Sequence, residues 1–169
     1  MPYTCALKHF AVNTVNNKDG MTDHTSLSPD GDGALDFCLR LARAQALMVR
    51  RFDSALGNLH GLSFSDYQLL YQLQRAPGVR LRRIDLAERL ALTASGVTRS
   101  LMPLEKIGLV ARQADTRDAR VGYAVLTAAG QELLHHASAT AHAVGRELLQ
   151  DAPADALTAL SATLGKLAN

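Results

Sequence analysis

The stretch from Ile84 to Leu126 narrows the possible folds more than any other part of the chain. Ile84, Ala87, Leu90 and Ala91 recur at helical spacing and define a helix of two to three turns. Leu92-Thr93 follows at once, and Thr93 is placed to cap a second helix by accepting from the N–H of Ser95 or Gly96. The second helix sets Val97, Leu101 and Leu104 on one face and Ala94, Ser95, Thr98 and Arg99 on the other. Two short helices at a tight turn, the second with small polar residues and Arg outward, follow helix-turn-helix logic. Gly108 ends the second helix at a C′ position. Pro103 inside it predicts a bend, because it removes the N–H that would meet the Arg99 carbonyl.

Two strands follow, Leu109–Gln113 and Val121–Leu126, separated by Ala114-Asp115-Thr116-Arg117-Asp118-Ala119-Arg120. A hairpin with an Arg-rich tip after a helix-turn-helix is a wing. Such a tip suits the narrow, electronegative minor groove of DNA.

The remaining segments surround this unit with helices. Leu35, Leu39, Ala42, Ala46, Val49 and Leu56 form one apolar stripe. Phe37, Leu41, Met48, Phe52 and Leu59 form a second, which predicts a helix over Ala34–Leu59 with more than one apolar face. One stripe meets the chain's own core; the other needs a partner, and a subunit interface supplies one. Ser63 with Asp66 makes a capping box for a short helix carrying Tyr67, Leu70, Tyr71 and Leu73. It stops before Pro77-Gly78, and Val79–Leu81 reads as a strand stub. Thr127 caps a helix carrying Leu133, Leu134, Ala137, Ala141, Val144 and Leu148, and Pro153 opens the last, with Leu157, Leu160, Leu164 and Leu167. Residues 1–33 show no sustained period and read as a disordered extension, with Met21 as a second possible start.

Composition agrees with a helical fold: 47% of the 169 residues are hydrophobic, only 5% are aromatic, and Trp is absent. Two cysteines are too few for a disulfide scaffold and suit a reducing compartment, hence a cytoplasmic protein. No run of about 18 apolar residues predicts a membrane span, and no signal-peptide pattern opens the chain. The net charge of +2 hides an asymmetry: residues 80–120 carry +4 and the remainder −2. Eight of the nine bases in that segment are Arg (Arg80, Arg82, Arg83, Arg89, Arg99, Arg112, Arg117 and Arg120), with Lys106 the ninth. Arginine is suited to phosphate and base-edge contact.

The segment Leu92–Val110 and the run Asp115–Gly130, D-T-R-D-A-R-V-G-Y-A-V-L-T-A-A-G, resemble the MarR family of bacterial winged-helix transcriptional regulators. The likeness extends from Ala34 to the C-terminus. It implies a mainly α fold: a winged helix-turn-helix over 63–126, flanked by dimerisation helices over 34–62 and 127–169. It also implies a homodimer that presents two recognition helices to a near-palindromic double-stranded operator. By the resemblance, Arg120 enters the minor groove, Asp118 holds it in place, and Arg117 lies nearby. Thr93, Ser95, Thr98 and Arg99 match positions that face the major groove, and Arg112 belongs to the same DNA-facing set. Physically, Arg99 suits bidentate reading of guanine, whereas Thr93 and Ser95 suit capping and phosphate contact.

Members of the family often hold a small phenolic or aromatic acid between the dimer helices and the winged domain. Candidates for such a pocket are Phe52, His60, Tyr67, Tyr71 and Met102, with Arg40 or Arg43 as anion partner; plain core packing is the competing reading for each aromatic. Cys38 sits where a peroxide-sensing branch keeps its reactive cysteine. The tyrosines that branch uses fall here on Ala42 and Phe52, which leaves Cys38 without hydrogen-bond partners. A metal-sensing alternative rests on His60, His135, His136 and His142, but His135 and His142 are seven apart, a poor spacing for sharing an ion. His9 and His24 lie in the extension. No cofactor is expected.

The leading expectation is a homodimeric DNA-binding repressor released by a small ligand. A winged-helix protein-interaction module is the rival from another class, and the Arg at the wing counts against it. No nucleophile motif, phosphate loop or metal signature points to an enzyme.

Overall fold

The computed structural model describes residues 31–115 and 122–167. By its contacts the chain falls into two units, 1–40 and 41–169. In the first, the described residues are the opening turns of helix α1 (Gly31–His60). Arg40 pairs there with Asp36 one turn back, and Leu35 and Leu39 are about 60% exposed. The helix therefore begins three residues before Ala34, inside the segment assigned to the extension. Apolar spacing marks only the turns that bury a face, so it misses a polar leading turn. The expectations of disorder and of a second start at Met21 concern residues 1–30, outside the described residues.

The second unit continues α1 into α2 (Phe64–Gln74), a 3-10 turn (Pro77–Val79), β1 (Arg80–Arg82), α3 (Arg83–Arg89) and α4 (Ala94–Lys106). The chain then passes through β2 (Val110–Ala114), β3 (Gly122–Leu126), α5 (Ala128–Leu149) and α6 (Ala154–Leu167). The fold is mainly helical, with one small antiparallel sheet in the order β1-β3-β2. Leu81 pairs with Ala124 and Arg112 with the same residue from the other side. The wing is thus anchored as a three-stranded sheet rather than a free hairpin.

Local chemistry explains the element ends. Ser63 and Asp66 form the expected reciprocal capping box at α2: the Ser63 hydroxyl accepts from the Asp66 N–H, and the Asp66 carboxylate accepts from the Ser63 N–H, both at 3.1 Å. The strand stub is Arg80–Arg82, not Val79–Leu81, because the Pro77-Gly78 turn carries Val79 to a φ of +54°. Helix α3 stops at Arg89, earlier than its apolar spacing suggests. Ala91 sits at a φ of +51°, with Ala91 N–H bonded to Glu88 O and Leu92 N–H to Ala87 O. That is a Schellman closure with alanine in the left-handed position, and it makes the tight turn into α4.

The core is one cluster. Phe52 and Leu56 of α1 meet Leu69, Leu70 and Leu73 of α2, Leu86 of α3, Val97, Leu101 and Leu104 of α4, and Leu134, Ala137 and Ala141 of α5. Phe52 and Leu56 belong to different expected stripes of α1, yet both are buried. On either side of them along the helix Leu47 and Leu59 are exposed, and α6 has no buried residue.

Candidate nucleic-acid interface

Helix α4 is positioned from both ends. At its N-terminus the Thr93 hydroxyl accepts from Gly96 N–H at 3.1 Å, the second of the two partners expected. At its C-terminus Gly108, with φ +78°, closes a second Schellman motif: Gly108 N–H bonds Glu105 O and Leu109 N–H bonds Leu104 O. The helix runs unbroken through Pro103. Val97, Leu101 and Leu104 fix its inner face at 0–2% exposure.

The outer face carries the polar residues expected there. Ser95 and Arg99 are exposed, and the Ser95 hydroxyl bonds that of Thr93 at 3.1 Å. Thr98 is half-buried and donates its hydroxyl to the Ala94 carbonyl at 3.0 Å. That leaves Thr98 only acceptor capacity toward anything outside. Arg112 is exposed on β2, on the sheet face of buried Ala124. Arg117, Asp118 and Arg120 lie outside the described residues.

The basic segment divides into committed and uncommitted charges. Arg82 makes a bidentate pair with Asp85, at 2.7 and 2.6 Å, which holds the Asp85 carboxyl below the usual aspartate range and raises the Arg82 guanidinium. Arg83 reaches Glu105 of α4 at 3.1 Å, and its Nε is buried without a hydrogen-bond partner. Arg80 bonds Gln113 at 3.1 Å and lies over the Tyr123 ring. Arg99, Lys106 and Arg112 hold no ion pair among the described residues. A count of charges along the sequence could not assign Arg80 and Arg83 to the committed group, since their pairing across 33 and 22 positions is tertiary, whereas the Arg82–Asp85 pair is local.

Of the residues expected to line one ligand pocket, Tyr67 and Tyr71 stack together, and the others lie elsewhere in the fold. Phe52 stacks on Phe64 at 4.2 Å in the core. His60 is hydrogen-bonded to Thr140 at 2.8 Å, and Tyr67 bonds Ser138 at 3.2 Å. Tyr71 stacks on Tyr67 and accepts from Arg75 at 3.0 Å. Met102 is 61% exposed on α4, and Arg43 is exposed on α1. Arg40, in the first unit, is paired with Asp36. A cleft of about 360 Å³ does open between α2 and α5, lined by Tyr71, Gln74, Gln131, Leu134, His135 and Ser138. Of the expected set it holds only Tyr71. The others were missed because the α2–α5 pairing brings polar residues together from 60 positions apart.

Cys38 is exposed on α1. His135 and His136 meet edge to face, and among the described residues no group of three or more His, Cys, Asp or Glu is placed to hold a metal ion. No described helix is long and apolar enough to cross a membrane.

A short helix, a tight turn, an outward-facing basic helix and an anchored β-hairpin define a winged helix-turn-helix protein. Its winged-helix segment, residues 60–121, matches the MarR family, and the chain has the fold of MarR-family transcriptional regulators. It is 26% identical to Sco3205, a MarR family transcriptional regulator from Streptomyces coelicolor solved in complex with DNA, over 82% of this chain and 90% of that one, with a TM-score of 0.75. AbsC, a MarR family transcriptional regulator from the same organism, is 25% identical over 85% and 96%, with a TM-score of 0.73. A mutant MarR from E. coli complexed with operator DNA shares the fold at 19% identity, over 83% and 99%, with a TM-score of 0.72. No curated protein matches the sequence.

Proposed function

We propose that this chain is a sequence-specific, double-stranded-DNA-binding transcriptional repressor that acts as a homodimer and is released by a small ligand. The observation that carries the reading is the outer face of α4, where Ser95, Arg99 and Lys106 are exposed, with no ion pair to either base among the described residues, on a helix whose inner face is fully buried. Residues 63–126 form the DNA-binding part, with Arg99 on base edges, Thr93, Ser95 and Arg112 on phosphates, and the wing residues Arg117 and Arg120, oriented by Asp118, in the minor groove. Residues 34–62 and 127–169 pair two copies: Leu35, Leu39 and Leu59 of α1 and Leu160, Leu164 and Leu167 of α6 are large apolar side chains left in water.

The α2–α5 cleft is the place for the effector. Its Tyr71 ring, two Gln amides and His135 suit a small aromatic molecule with hydrogen-bonding substituents.

The test is binding to the DNA upstream of the protein's own gene. Affinity should fall linearly with salt on logarithmic axes and survive competitor DNA. Equal affinity for that region and random DNA overturns the repressor reading. Thermal-shift screening against aromatic acids, metals and oxidants tests the effector, because a ligand of the folded state raises its apparent stability.

A further inference from the structure

Met102 has no place in the ligand cleft and none in the core. It is 61% exposed in the third turn of α4, while its neighbours Leu101 and Leu104 are at 0% and 2%. Ser95, Arg99, Met102 and Lys106 follow one another at spacings of four, three and four, which puts them in a single stripe on the helix face opposite the core. Three members of that stripe are polar or basic and are the kind of residue a nucleic acid attracts. The fourth is a long, flexible, polarizable apolar side chain. The other large apolar residues exposed nearby, Ile84, Leu92 and Ile107, lie on α3, in the turn before α4 and beyond the end of α4.

In the major groove one chemical group rewards an apolar side chain, the C5-methyl of thymine. We infer that Met102 is a specificity-determining residue that reads a thymine methyl beside the base read by Arg99. The inference rests on the DNA-binding reading above and deepens it. The stripe from Ser95 to Lys106 is about 16 Å long at the α-helical rise, roughly the height of five base pairs. Side chains three apart stand about 5–6 Å from each other on a helix. The thymine should therefore lie roughly one to two base pairs from the guanine that pairs with Arg99.

The experiment is selection of binding sites from a random duplex pool by the full-length wild type, Met102→Ala and Met102→Leu. Selected sites are then remade with deoxyuridine at each thymine in turn. The wild type should select a thymine at one symmetric position per half-site. Losing its methyl there should weaken wild-type binding about fourfold per half-site, the size expected for one buried methyl group. Met102→Ala should lose the preference and become insensitive to the methyl, with non-specific binding and thermal stability unchanged; Met102→Leu should retain both. If Met102→Ala selects the same sites and feels the same methyl loss, Met102 reads nothing and the inference falls. If the wild type selects no sequence at all, the DNA-reading function itself falls, an outcome distinguishable from the first.

Discussion

The hydroxyl of Thr127 lies 2.7 Å from the carbonyl oxygen of Gly108, so the residue that starts α5 holds the residue that ends α4. The Thr127 hydroxyl also lies 3.0 Å from the Leu109 carbonyl oxygen and accepts from Gly130 N–H at 3.1 Å, while Thr127 N–H bonds Leu109 O. The contact is close enough to exclude a side chain at position 130, where a Cβ would stand 2.2 Å from the Leu109 oxygen. The L-T-A-A-G run is thus a weld between the recognition helix and the helix that follows the wing.

Thr127→Val removes the cap and the bond to Gly108 at nearly constant volume. It should cost about 1–2 kcal/mol, whereas Thr127→Ser should stay within a few tenths. Gly130→Ala should cost about 2 kcal/mol or more, because backbone rather than a side-chain tip must give way. Urea denaturation at fixed protein concentration reads all three, and a Gly130→Ala variant as stable as wild type would refute the close packing.

Ala91 holds a left-handed conformation that costs a non-glycine residue about 1 kcal/mol. Ala91→Gly should therefore raise stability by about 0.5–1 kcal/mol, despite the larger unfolded-state entropy of glycine. The same substitution in a helix interior destabilises, so the sign of the change in urea midpoint is diagnostic.

The Arg82–Asp85 pair makes a pH-dependent contribution. The Asp85 carboxyl is held low by the hydrogen bond and charge of Arg82. Its contribution is present above the ordinary aspartate pKa and is lost as pH falls through the depressed folded value. NMR titration should find Asp85 below the usual range, and Arg82→Gln should return it upward. The pair is exposed, so the difference in stability between the two proteins should be small at neutral pH and vanish in strong acid.

Arg99→Ala and Arg112→Ala should fail differently. Loss of Arg99 should cost about 1–3 kcal/mol on the selected site and relax preference at one base position. Loss of Arg112 should weaken binding to all sequences alike and lower the salt slope by about one. Electrophoretic titration at several salt concentrations, on specific and random duplexes, separates the two; identical profiles would remove the distinction between base and phosphate contact.

The proposed homodimer should be converted to monomers by Leu160→Glu with Leu164→Glu, read by analytical ultracentrifugation, because α6 buries none of its own residues. A double variant that sediments as wild type would overturn the α6 pairing.

The sequence by itself determined the elements whose cause is local. The Ser63–Asp66 box, the Thr93 and Thr127 caps and the Gly108 stop depend on residues within a few positions, and each forms as its spacing dictates. Helical periodicity likewise picked out Val97, Leu101 and Leu104 as the buried face of α4. Only the tertiary structure decided what depends on residues far apart. It separated Arg80 and Arg83, engaged with Gln113 and Glu105 far along the chain, from Arg99, Lys106 and Arg112, which hold no ion pair among the described residues. It left Met102 exposed on the outer stripe of α4, and it built the cleft from α2 and α5. A residue's type and spacing fix which face of a helix it occupies. Which other surface meets that face is set by long-range packing, and no local pattern encodes it.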